Sequence, residues 1–163
     1  MTDGRGDVRT ARLVLHPIPP DEARRIAGRA PGPDDRWHPD YPFEDELDPL
    51  RSLAGAATPD AVFTLYQVRD AASGLAVGGI GFFGPPDDEG AVEIGYGLVA
   101  DARGRGLATE AVLAAVRLAE EHGAALLRAD TTPGNRASQR VLQKAGLSEV
   151  RRTDGLVYFE RRL

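Results

Sequence analysis

The chain has no cysteine and one methionine, and its three histidines, His16, His38 and His122, stand far apart. Without thiols it has no disulfide, no zinc–thiolate site and no thiol nucleophile. The scattered histidines give neither metal-ligand spacing nor a Ser-His-Asp set, so no metal is expected. No apolar run approaches the roughly 20 residues of a membrane helix. The opening MTDGRGDVRT lacks the apolar stretch of a signal peptide. A cytoplasmic protein without membrane contact is therefore expected. Positive charge is also short. The net charge of −5 speaks against nucleic acid as a partner and suits a cationic one. Lys144 is the only lysine among 20 Lys and Arg residues, which we read as compositional bias.

What is present suffices for one globular domain: 163 residues, 42% of them hydrophobic and 28% charged. We expect it to span residues 9–163, after a flexible polar start at 1–8. The pattern predicts a strand over 10–18 and a helix over 21–30. A Pro- and Asp-rich loop follows at 31–47, then a helix over 48–57. Three strands at 61–68, 75–83 and 91–99 make a meander. A long helix at 107–122 carries apolar residues at helical spacing, ending at Gly123. A strand at 124–131 follows, then a helix at 136–145 capped by Asn135, and a hairpin of 147–151 with 156–162. This is an α/β fold: a central, mixed but mostly antiparallel sheet of about 7 strands, flanked by about 4 helices.

The loop at 31–47 carries Trp37, His38, Tyr41 and Phe43 among many carboxylates. Its rings either cover a core edge or wall a substrate site; Trp37 and Tyr41, with Tyr96, are the substrate-side candidates.

The chain turns on Glu93 to Glu121, where a strand enters a turn dense in Arg and Gly that opens into the long helix. A helix N-terminus leaves backbone N–H groups unpaired and favours an anion. Glycines allow close approach, and arginines add donors for phosphate. A Walker loop is absent. Gly95-Tyr96-Gly97-Leu98-Val99-Ala100 matches a dinucleotide fingerprint only in letters, because it lies in a strand and outside a βαβ unit.

The stretch Arg103-Gly104-Arg105-Gly106-Leu107-Ala108, followed by Asn135-x-x-Ser138 and Val141-Leu142-x-Lys144-Ala145-Gly146, resembles the GNAT superfamily of N-acetyltransferases. The order of elements matches over nearly the whole chain. Thr10-Ala11-Arg12-Leu13-Val14-Leu15 looks most like the branch holding ribosomal-protein N-terminal acetyltransferases. The resemblance implies acetyl-CoA as co-substrate in a gap between two splayed strands. Pantetheine would meet the backbone near Leu98 and Val99, and pyrophosphate the N–H groups of Arg103, Gly104, Arg105, Gly106, Leu107 and Ala108. Thr109 would add a hydroxyl, Asn135 and Ser138 would touch the arm, and Lys144 would reach the adenine end. Each also has a plain structural explanation, such as a helix cap for Asn135.

The implied reaction is direct attack of a primary amine, of a protein N-terminus or a small molecule, on the thioester. A base must take a proton from the amine, and a strand N–H near Val99 is the expected donor to the developing oxyanion. Glu93 is the candidate base. Leu142 stands where many family members have a tyrosine donor, so Ser138 and Tyr158 are the candidates to protonate sulfur. A monomer or homodimer is expected. The alternative is a non-catalytic acyl-CoA-binding module or sensor.

Overall fold

The structure, a computed structural model, describes residues 6–163. Its strands are β1 (Val8–Arg9), β2 (Leu13–Pro17), β3 (Leu65–Asp70), β4 (Ala76–Phe82), β5 (Ala91–Leu98), β6 (Leu126–Thr131), β7 (Ser148–Arg152) and β8 (Val157–Arg162). The helices are α1 (Pro20–Ala27), α2 (Glu44–Ala54), α3 (Leu107–Glu121) and α4 (Arg136–Lys144). The eight strands form one sheet in the order β1-β2-β3-β4-β5-β6-β8-β7. Every pairing is antiparallel except β5 with β6.

The extra strand comes from the segment expected to be loose. Val8 pairs with Leu15, and Asp7 hydrogen-bonds His16 at 2.7 Å. The ordered domain thus begins before residue 9; the rest of the expected flexible start, residues 1–5, lies outside the described residues. The second helix begins four residues earlier than predicted. Its first turn, Glu44, Asp45 and Glu46, sets three carboxylates at the positive end of the helix dipole. Glu46 accepts the N–H of Phe43 at 3.0 Å, and its own N–H donates to the Phe43 carbonyl at 3.2 Å. The acidic run is therefore a helix start as much as a solvated loop.

The two sheet faces carry different helices. On β3, β4 and β5, register aligns Gln67, Gly79 and Gly97, and this face meets α2: a Cβ on Gly79 would be 2.1 Å from Glu46, and one on Gly97 would be 3.1 Å from Phe43. The opposite face carries α3 and α4, since the Tyr96 hydroxyl reaches Ser138 on α4. The apolar stripe of α3 is wide, with eight of its 15 residues buried, from Leu107 to Ala119. It packs on β2, β4 and β5. Burying such side chains contributes about 25 cal/mol per Å² of apolar area, the main stabilising term for this layer.

Candidate active site

The parallel pair β5–β6 is short. It joins Ala91, Val92 and Glu93 to Leu126, Leu127 and Arg128, then stops. Beyond that point β5 continues along β4 to Leu98, while β6 continues along β8 to Thr131. The sheet is thus parted between two strands that remain well paired on their other sides. Backbone polar groups alternate in direction along a strand. The Glu93 carbonyl accepts from Phe83, at 2.9 Å, and the Val99 N–H donates to Val77, at 2.8 Å, both on the β4 side. Tyr96 and Leu98 therefore turn their backbone groups away from β4, into the gap.

At the end of β5 a short 3-10 turn, Ala100–Ala102, leads into the Arg-Gly turn. Gly104 and Gly106 both take the left-handed conformation, with φ of 76° and 78°. A side chain there would cost about 1–2 kcal/mol. Gly106 is the N-cap of α3 and supplies no side-chain cap, so the helix start keeps N–H donors for a ligand. The Arg103 Nε donates to the Leu98 carbonyl at 2.9 Å, bending the turn back over the strand end. Asn135 caps α4 by accepting the Ser138 N–H at 3.1 Å.

These parts border one cleft of about 930 Å³. Its walls come from both sheet faces: Glu46, Gly79 and Gly97 on one, Tyr96, Leu98 and Ser138 on the other. The cleft therefore passes through the sheet where β5 has left β6. At one end lie Arg103, Gly104 and Gly106; Asn135 and Lys144 lie along the α4 side. Tyr96 bridges wall and helix, its hydroxyl 2.8 Å from Ser138 Oγ. Burial raises the Tyr96 pKa, against the lowering hydrogen bond of Ser138, so the phenol keeps its proton. Glu46 is the unexpected member. Burial lifts its carboxyl to about 7, with a small further rise from Asp45 and an opposing hydrogen bond from the Phe43 N–H.

The chain as a whole is similar to known proteins. A family model described as an acetyltransferase (GNAT) domain matches residues 12–148. The chain belongs to the GNAT acetyltransferase family. That family implies acyl-CoA-dependent acetyl transfer. Among solved structures, a putative GNAT-family acetyltransferase from Bordetella pertussis is 26% identical, with 96% of this chain and 99% of that chain covered at a TM-score of 0.66. The ribosomal-protein-S5-alanine acetyltransferase of Vibrio fischeri is 16% identical, with 96% of each chain covered at 0.67. A putative ribosomal-protein-serine acetyltransferase from Vibrio cholerae is 18% identical, with 100% of each chain covered, again at 0.67. At such identities the likeness is one of fold. No curated protein matches the chain.

For this family member the cleft unites most of the residues expected from sequence. Leu98, Arg103, Gly104, Gly106, Leu107, Ala108, Thr109, Asn135, Ser138, Lys144, Tyr41 and Tyr96 all line it. Arg105 is on the turn but gives its carbonyl to Arg12, at 2.7 Å. Four further expected residues, Val99, Trp37, Glu93 and Tyr158, lie outside the lining of this cleft. Val99 is fully buried and its N–H is bound to Val77, so it has no donor for the gap. Trp37 packs edge-on against Tyr41, ring centroids 5.6 Å apart, and forms a bridge with Ala76 outside the cleft. Glu93 precedes the parting of the strands and is still paired with Arg128. Its side chain lies in a second, smaller cleft with Asp130, which holds its pKa up together with burial, the larger cause. Tyr158 is in that second cleft too, its ring 4.1 Å from the Arg151 guanidinium.

Glu46 was missed although a signal existed. Glu46, Leu50 and Leu53 fall at i, i+4 and i+7, which puts the carboxylate on the buried stripe of α2. Phe83, 58% exposed at the cleft mouth, carried no such pattern.

Proposed function

We propose that the chain transfers acetyl from acetyl-CoA to a primary amine, of a protein N-terminus or of a small molecule, by direct attack on the thioester. The observation that carries this reading is the cleft through the sheet, with strand backbone turned into it at Tyr96 and at the Leu98 N–H, and the uncapped start of α3 at one end. Acetyl-CoA would supply an activated acyl carbon and a thiolate leaving group. The residues present suit it. The N–H groups from Gly104 to Thr109 can hold a pyrophosphate, and the Arg103 side chain adds charge, its own N–H being bound to the Ala100 carbonyl at 3.1 Å. Leu98 offers its N–H to a pantetheine carbonyl, Asn135 and Ser138 border the arm, and Lys144 stands towards the nucleotide end. The Tyr96–Ser138 pair can give a proton to sulfur.

On the acceptor side, Glu44 and Asp45 are exposed at the cleft wall, which favours an ammonium group over an anion. Glu93 and Tyr158 share this sheet face, one cleft away, as outlying contacts for a larger acceptor. A protein N-terminus is one class to test first, given the two Vibrio proteins of like fold. The experiment is thiol release from acetyl-CoA with a panel of peptides bearing free N-terminal Ala or Ser, spermidine and an aminoglycoside. Release with at least one amine, and its acetylated product by mass spectrometry, is expected. CoA binding without release from any would replace this reading with the non-catalytic acyl-CoA module.

A further inference from the structure

We infer that the Glu46 carboxylate, projecting from α2 over β4, is the group that takes the proton from the acceptor amine. This rests on the transfer reading above and names the residue on which it turns.

The geometry is specific. Glu46 Oε2 is occupied by the Phe43 N–H at 3.0 Å, which fixes the carboxylate at the third position of its helix. Among the described residues Oε1 has no hydrogen-bond partner, and no fully buried side-chain oxygen there lacks one, so Oε1 is open to the cleft. It rests on Gly79, where a Cβ would come within 2.1 Å. Only glycine leaves room for the carboxylate there. Gly79 is paired with Gly97, so Oε1 stands over the strand next to the parted one, beside the Phe43 ring that covers Gly97. The Tyr96–Ser138 hydroxyl pair stands on the other face of the parted strand. The gap thus has a proton acceptor on one side and a proton donor on the other, as amine attack and thiolate departure require.

The surrounding charges agree. On the cleft wall the ionisable neighbours are Glu44 and Asp45 from α2, Tyr41 from the preceding loop, Tyr66 from β3, Tyr96 from β5, Arg103 from the turn, and Arg140 and Lys144 from α4. Among the described residues none forms an ion pair with Glu46. Burial lifts its pKa to about 7, which suits a base at neutral pH. In the step, an ammonium proton passes to Oε1 and the freed lone pair forms the C–N bond. The C–S bond breaks with its electrons on sulfur. One of the two protons the nitrogen loses leaves to solvent through Glu46. The nitrogen gives up the other as the C–N bond forms, again to Glu46 once the first has left; the Tyr96–Ser138 pair gives a proton to sulfur and regains one from solvent, so one proton is released net.

Glu46→Gln tests this, because glutamine still accepts the Phe43 N–H and so keeps the helix start. With the best amine of the panel, kcat should fall about 100-fold or more, while CoA affinity stays within about twofold. Wild-type kcat should show an acid limb near pH 7, and the variant should lose it. A kcat within about threefold of wild type, or an unaltered acid limb, overturns the inference and leaves the transfer reading standing. Absence of wild-type turnover with every amine overturns both. Should the variant fail to fold, a wild-type profile flat through pH 7 is enough to refute it.

Discussion

Arg12 clasps Glu110 twice: its Nε donates to Oε1 at 2.9 Å and its backbone N–H to Oε2 at 2.8 Å. The same guanidinium reaches the Arg105 carbonyl at 2.7 Å. One side chain from the start of β2 therefore braces both the first turn of α3 and the Arg-Gly turn before it. Burial tends to raise the Glu110 pKa, but hydrogen bonds from Thr10 and Arg12 outweigh it and the net shift is down. Arg12→Ala should cost about 1 kcal/mol of stability, since the side chain is half exposed. Its larger effect should be on the ligand: about 3- to 10-fold weaker CoA binding, as the turn must then be ordered on binding. Calorimetric titration with CoA beside a thermal melt separates the two. Unchanged affinity would mean that the glycines alone hold the turn.

Gly106 joins a conformational demand to an electrostatic one. Its φ of 78° is strained for any other residue, and a Cβ there would lie 3.4 Å from the Arg12 guanidinium. Gly106→Glu adds a negative charge at the anion-seeking start of α3. CoA affinity should fall by about 100-fold or more. Gly104→Ala meets nothing within 4 Å of the new Cβ and pays only the backbone strain, so it should weaken binding by about tenfold. Equal effects from the two would argue against an anion at the helix start.

These features differ in how legible they were in the chain. The meander β3–β5 and helix α3 follow from local pattern: strand alternation between Gly turns, and a wide apolar stripe on 107–121. The Arg-Gly turn is local too. The parting of β5 from β6 is not, because it depends on where a parallel register ends, and no residue near Glu93 encodes that. Alternation rightly set Glu93 on the face of Gly95 and Gly97. It could not tell that strand β6 still covers its flank, so the expected base stands in the neighbouring, smaller cleft. Glu46 was hidden for another reason. Proline and acidic residues around it obscured the start of α2, and without the helix its inward stripe with Leu50 and Leu53 was not visible. Val99 failed as a donor because direction of a backbone N–H flips with each residue, and one position decides it.

The histidine nearest the N-terminus gives a pH prediction. His16 Nδ1 lies 2.7 Å from Asp7 and Nε2 2.9 Å from Glu22, and Glu22 also meets Arg69 at 3.5 Å. Burial alone would lower the His16 pKa, but the hydrogen bonds to Glu22 and Asp7 together raise it above 6.5. A raised folded-state pKa means the protonated ring stabilises the fold fully below the unfolded value. That contribution is lost as pH climbs through the folded value. Melting temperature should therefore decline as pH rises above about 6.5. His16→Leu should flatten that decline and destabilise by about 2 kcal/mol, because two poorly exposed carboxylates lose their partner. A pH-independent difference between the two proteins would contradict the assignment.

Tyr96 and Ser138 offer the sharpest separation of chemistry from binding. Their hydroxyls are 2.8 Å apart, joining β5 to α4 across the gap. Either change, Tyr96→Phe or Ser138→Ala, removes one hydrogen bond, worth about 1 kcal/mol to the fold. If the pair supplies the proton that departs on sulfur, Tyr96→Phe should lower kcat about 10- to 100-fold with CoA affinity nearly unchanged. Ser138→Ala leaves the phenol in place, so its loss should be smaller if tyrosine is the donor, and larger if serine faces sulfur. Acting as one relay, the two should be non-additive: the double variant should be no slower than the worse single one. Fully additive losses would mean that each hydroxyl acts alone and that the 2.8 Å contact only fastens strand to helix. The discriminating readout is an acyl donor with a better leaving thiol. It should rescue Tyr96→Phe if protonation of sulfur is what was lost, and leave it unimproved if the phenol merely shapes the cleft.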